Sequence, residues 1–286
     1  AYFSGSFLQL SGVLLVEVAS LQYLMLEDCL FISNTITLQE ALGSSFLLTG
    51  AALCVSISGD SHGQISISNC LFRENGIFVL GDYEPYNYGQ VNGAAISIFA
   101  GEEELQISSC AFFSNKLSYN GYTGVVSGGA IVFFGKSMRI SNSIIEGQQI
   151  SSDNQFCANQ EKQLNLGTGA GVAVQADFVD VLNTTFSQNT ITVECTKSSG
   201  GTALGGALFS SKGFLTFLGS RFLGNYIHAD KSTGGALYLT GAAVMVNCTF
   251  TENNCVGNSI SDAIPLAYGG AVFSTSTVGI SNVLLS

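Results

Sequence analysis

The chain has no Trp, two Pro, two His and only nine Lys plus Arg among 286 residues. Each shortage removes a class of reading. A net charge of −11 leaves no basic footprint for nucleic acid, which is bound through neutralised phosphates, and it disfavours anionic membrane surfaces as well. Without Trp, the Trp-Asp signature of one propeller family is impossible. His62 and His228 lie far apart and no Cys-x-x-Cys pair occurs, so neither zinc nor any other metal or cofactor is expected. No segment carries a helical stripe of apolar residues, which argues against leucine-rich and tetratricopeptide arrays. The apolar start, Ala1 to Leu26, is punctuated by Ser, Gly, Gln and Glu17, and no basic region precedes it. It therefore reads as a first structural unit, neither a signal peptide nor a membrane-inserting helix.

What remains is abundant and repetitive. A Phe is followed three residues later by an Asn at Phe31/Asn34, Phe72/Asn75, Phe112/Asn115, Phe186/Asn189, Phe222/Asn225 and Phe250/Asn253. Gly-Gly-Ala followed by an aliphatic residue recurs at Gly128 to Ile131, Gly205 to Leu208, Gly234 to Leu237 and Gly269 to Val272. Looser copies stand at Gly93 to Ile96 and Gly169 to Val172. Two degenerate units put Ile145/Gln148 and then Leu285 where Phe and Asn would be. Eight units of about 28 to 41 residues result, a period that signals a solenoid or propeller.

Each unit is rich in β-prone alternation, as in Ile65-Ser66-Ile67 and Leu237-Tyr238-Leu239. Immediately before the small residue that precedes each Phe or its equivalent by two, the pattern needs a bend. Asp28, Asn69, Ser109, Asn142, Asn183, Gly219, Asn247 and Asn282 occupy that place. Asn, Asp and Gly tolerate left-handed backbone, and a left-handed residue switches side-chain parity. Ile65 and Ile67 then point inward before the bend, and Cys70 and Phe72 after it. A coil of three short strands stacked in register on its neighbours is a parallel β-helix, here one domain over 1–286 and about 40 Å long at the parallel strand spacing. The Asn that ends each Phe motif is expected to form an amide column along the axis.

Paired Gly-Gly-Ala-[Ile/Leu/Val] and Phe-x-x-Asn motifs resemble the repeats of polymorphic outer-membrane proteins, best known from chlamydial surface adhesins. The resemblance runs from about Leu24 to Leu285. It implies a right-handed parallel β-helix and a surface role, while nothing in this sequence resembles the membrane barrel that those adhesins carry.

Eight cysteines suit an oxidising compartment. Cys29, Cys70, Cys110 and Cys248 share one repeat position with Ser143, Thr184, Ser220 and Val283, and read as buried small residues. Neighbouring coils could bridge Cys29 to Cys70 or Cys70 to Cys110, but not both. Cys157 and Cys195, placed in long loops of adjacent coils, are the preferred disulfide pair; Cys255 is placed at the start of an equivalent loop. Asn183-Thr184-Thr185 and Asn247-Cys248-Thr249 are N-glycosylation acceptor sequences at the expected exposed bend. Tyr83, Tyr86 and Tyr88 in one loop, with Tyr119 and Tyr122 in the next coil, either shield the flank or form an interface for glycan or protein. The carboxylates are scattered: Glu102, Glu103 and Glu104 read as a solvated edge, and Asp177 and Asp180 have no partner carboxylate one coil away. Polysaccharide hydrolases or lyases need such clusters, so no catalysis is expected. The terminal units do not look like caps, and the sequence reads as part of a longer polypeptide. These features point to an extracellular or cell-surface structural protein forming a fibre by head-to-tail stacking with itself. The alternatives are a monomeric adhesin passenger binding glycans or surface proteins and, from another class, a polysaccharide-active enzyme.

Overall fold

A computed structural model of the chain describes residues 8–39, 46–59, 62–80, 88–120, 123–154, 166–195, 201–257 and 266–286. The described residues form strands and corners without a helix. In the second coil the strands are Phe46–Thr49, Leu53–Ile57, Gln64–Ser68, Leu71–Arg73 and Gly76–Leu80. Each strand pairs in parallel with its counterparts in the coils before and after. Five sheets result, the first four with eight strands and the fifth with seven. The register is strict: Ile65 lies beside Leu24 and Leu105, and Phe72 beside Phe31 and Phe112. The described residues form an all-β parallel β-helix of eight coils.

Five strands per coil replace the three expected from sequence, because the second to seventh coils each repeat three left-handed corners and sequence marks only two. One corner is the Asn-rich position, where φ lies between 47° at Asn183 and 59° at Gly219, with Ser109 at 53°. Another is the first Gly of the Gly-Gly-Ala motif, as at Gly128, Gly205 and Gly234. A Cβ on Gly205 would stand 2.3 Å from the Leu208 carbonyl oxygen, so backbone shape and space both demand glycine there. The unmarked corner immediately precedes the Phe-motif Asn and is held by Ser33, Glu74, Ser114, Gly147, Gln188, Gly224 and Glu252. Glu, Gln and Ser do not advertise positive φ. The three-residue fourth strand is therefore enclosed between two such corners that each reset parity, which leaves Cys70 and Phe72 inward as the alternation requires.

The interior is divided into two cores. The second, third and fourth sheets enclose the larger, with Leu53, Ile65, Ile67, Phe72 and their equivalents. The fifth and first sheets enclose the smaller, with Leu48, Ile77, Val79 and Leu117. Between them lies a waist. There Ala94 faces the smaller core and Ala95 the larger, and the Gly-Gly-Ala run passes against the Asn corner of its own coil. A Cβ on Gly129 would lie 3.2 Å from the Gln148 Cβ, and one on Gly235 would lie 2.7 Å from the Asn254 carbonyl oxygen. Small residues are needed because two backbone segments meet at this point.

Columns of identical groups run along the axis. Phe31, Phe72 and Phe112 stack at 4.8 and 4.9 Å with rings within 5° of parallel; Phe186, Phe222 and Phe250 stack at 5.1 and 4.6 Å. Ile145 bridges the two runs at the Phe position. In the amide column the Asn34 Nδ2 donates to the Asn75 Oδ1 at 2.7 Å, and Asn75 to Asn115, Asn115 to Gln148, Asn189 to Asn225 and Asn225 to Asn253 at 2.8–2.9 Å. From Asn75 onward each of these side chains also accepts from the backbone N–H one coil earlier, as from Asn75 to the Asn115 Oδ1 at 3.0 Å. This buried polar ladder satisfies the corner's backbone, which would otherwise lose hydrogen bonds at each turn.

Candidate functional site

The shared Cys position is a second ladder of the same logic. The Cys29 N–H donates to the Cys70 Sγ and the Cys70 N–H to the Cys110 Sγ, both at 3.4 Å, and the Cys110 N–H donates to the Ser143 Oγ at 3.1 Å. Each thiol or hydroxyl in turn donates to the carbonyl two residues back, at 3.1 Å from Cys70 to Ser68 and 2.8 Å from Ser143 to Ser141. Cysteine here substitutes for a hydroxyl. Cys29, Cys54, Cys70, Cys110, Cys248 and Cys255 are all free thiols. Burial pushes the Cys70 thiol up to about 12 and raises Cys54, Cys110, Cys248 and Cys255 likewise, so these groups lack the thiolate character of a nucleophile or redox centre.

Two cysteine placements change. Cys195 closes the strand Thr190–Cys195 beside Asn154 and does not lie in a loop. Cys157 is outside the described residues, and the Cys157–Cys195 pairing with it. Cys255 sits in the strand Asn254–Gly257, in the inward column below Ile227, where the other coils place Ile or Leu.

The tyrosines divide as well. Tyr119 is only 2% exposed and fills the smaller core, so it offers no interface: its ring packs on Phe46 and takes the space that a Cβ on Gly89 or Gly124 would need. Tyr88 belongs to the strand Tyr88–Asn92. Tyr83, Tyr86 and Tyr122 lie outside the described residues.

The carboxylates serve the framework. Glu103 is fully buried, contrary to a solvated edge, and its carboxylate accepts from the Gly101 N–H at 2.9 Å, turning inward at the tight bend between two strands. Asp180 pairs with Arg139 of the preceding coil at 3.0 Å and Asp177 with Lys212 of the following coil at 2.9 Å, both on the exposed flank. Among the described residues no three His, Cys, Asp or Glu converge into a metal-binding group.

The flank at the Asn-rich corner is the most distinctive surface. Asn183 and Asn247 are exposed, at φ 47° and 54°, and the residues two further on, Thr185 and Thr249, start the fourth strand. Asn183 lies between Asn142, to whose Oδ1 its amide donates at 3.4 Å, and Gly219. A Cβ on Gly219 would come within 2.6 Å of the Asn183 Oδ1, so that glycine gives the Asn183 side chain its room. Beside this corner the last outward row of the third sheet is apolar in the fifth to seventh coils, where Leu218 is 39% exposed and Leu182 and Val246 are half-buried. Sequence reading missed this strip, although the signal was present: the strands Phe178–Leu182 and Phe214–Leu218 carry apolar residues on both parities.

A second feature is the mouth of the larger core at the eighth coil. Met245, Phe250, Val272, Val278, Ile280 and Leu285 line an open cleft of about 510 Å³ there. In every interior coil the equivalent side chains are covered by the next coil.

Comparison of this chain with protein-family models, curated proteins and solved structures yields no match.

Proposed function

We propose that the chain is a shaft segment of an extracellular or cell-surface structural protein, extended by end-to-end stacking with copies of itself. The observation that carries this reading is the strict register of the stack: aromatic and amide columns pass from coil to coil in alignment, so a coil of a second copy can add to the stack by the same parallel pairing. Such a head-to-tail contact is heterologous and forms open filaments when the rotation does not close. The neutral polar surface and the exposed corner sequons support an exported location. The raised thiols and the scatter of carboxylates favour a structural over a catalytic role.

Sedimentation velocity and negative-stain imaging across a concentration series test the reading. Species that grow with concentration into fibres with an axial coil repeat are expected. A discrete single-chain particle at micromolar concentration would exclude self-stacking and leave the adhesin passenger as the better reading.

A further inference from the structure

The outer row of the third sheet next to the Asn-rich corner can be followed through all eight coils. In register it reads Glu27, Ser68, Ser108, Ser141, Leu182, Leu218, Val246 and Ser281. Polar residues hold it everywhere except the fifth, sixth and seventh coils. The corner residues that follow are Asp28, Asn69, Ser109, Asn142, Asn183, Gly219, Asn247 and Asn282. Of these, only Asn183 and Asn247 begin an Asn-x-Thr sequence, and they bracket the apolar stretch. Asn69, Asn142 and Asn282 share the left-handed corner without the acceptor Thr or Ser, and their rows carry Ser. The apolar row thus tracks the sequon and not the Asn.

Nothing in the fold requires Leu182, Leu218 and Val246 to be apolar, since their side chains point away from both cores. A partly exposed aliphatic row, in line with Ser and Glu in the coils on either side, calls for a cover. A cover attached at Asn183 and Asn247 is at hand, because the acetamido methyl and the C–H face of an N-acetylhexosamine are apolar while its hydroxyls remain solvated. Gly219 adds room: two sugars two coils apart are separated by about 10 Å at the strand spacing, with no side chain at the corner between them.

We infer that Asn183 and Asn247 carry N-linked glycans whose innermost sugars lie back over the outer face of the third sheet and cover Leu182, Leu218 and Val246. This rests on the exported location in the proposed function, but it is independent of stacking between copies, which involves the ends of the shaft and not this flank.

The chain is secreted from a eukaryotic cell line behind a heterologous signal peptide, and glycopeptides are mapped by mass spectrometry. Both Asn183 and Asn247 are expected to be modified, with the mass lost on treatment with a peptide-N-glycosidase. Removal of the sugars from the folded chain is expected to raise the fluorescence of a hydrophobic-surface dye. The triple variant Leu182→Ser, Leu218→Ser, Val246→Ser is expected to keep both glycans and abolish that rise, which separates cover from mere attachment. A folded, secreted chain with Asn183 and Asn247 unmodified would overturn the inference, as would glycan removal that leaves the dye signal unchanged. Either outcome leaves the fibre reading standing, since fibres are scored separately, and failure to form fibres leaves glycan mapping unaffected.

Discussion

At Cys70 one atom does two jobs, accepting the Cys29 N–H and donating to the Ser68 carbonyl. Cys70→Ser keeps both bonds with a smaller atom. Cys70→Val keeps the volume and leaves the half-buried Cys29 N–H without its acceptor, a loss of about 1 kcal/mol. Urea denaturation should therefore find the Ser variant the more stable of the two, a ranking opposite to that expected of a purely hydrophobic site. The same thiol gives an alkaline signature. Its folded value, pushed up to about 12, lies above the ordinary 9.0, so its contribution to stability is complete below pH 9 and declines as pH rises from 9 towards 12, where the unfolded chain releases a proton that the folded one retains. Stability measured across that window should fall, and less steeply in Cys70→Ser. The left-handed corners make a similar point about single positions. Asn69, Asn142 and Gly219 were legible as corners because their chemistry favours positive φ, whereas Glu74, Gln188 and Glu252 adopt it only because the stacked coils above and below impose it.

Within the amide column, one rung differs. The Gln148 side chain is longer by a methylene, and its Nε2 donates to the carbonyls of Phe112 and Glu146 at 2.8 and 2.7 Å, while Asn189 receives only the Gln148 backbone N–H at 3.2 Å. Gln148→Asn should restore the side-chain rung to Asn189 and raise the unfolding free energy by about 0.5–1.5 kcal/mol. Asn115→Leu should act in the opposite sense, since it strands the Asn75 N–H and the Phe72 carbonyl, which Asn115 now satisfies. Chemical denaturation of the pair checks both signs. The Phe and Asn columns were readable in the sequence because a strict in-register stack repeats its chemistry at every coil. The number of strands was not, because a three-residue strand such as Leu71–Arg73 is too short to show alternation and its closing corner carries no marker. The apolar row of Leu182, Leu218 and Val246 was hidden for a different reason: it becomes a surface only once three coils are brought side by side.

Over the whole molecule, each coil touches only its neighbours, so damage should stay local. Phe222→Asp puts a carboxylate where Phe186 and Phe250 now stack, and hydrogen exchange should show the sixth and seventh coils losing protection while the second to fourth retain theirs. Ile280→Lys, at the mouth of the eighth coil, should leave exchange in the interior coils unchanged and stop fibre growth by placing a charge in the joint. Unaltered fibres from that variant would locate the joint elsewhere. The waist between the two cores has a mechanical side. A section with material in two lobes and a thin backbone web between them is that of a girder, with a larger second moment of area across the line of the lobes than along it. Such a shaft has a stiff plane and a compliant one, and a load transmitted along it bends it in a direction set by the line of Gly-Gly-Ala corners facing the amide column.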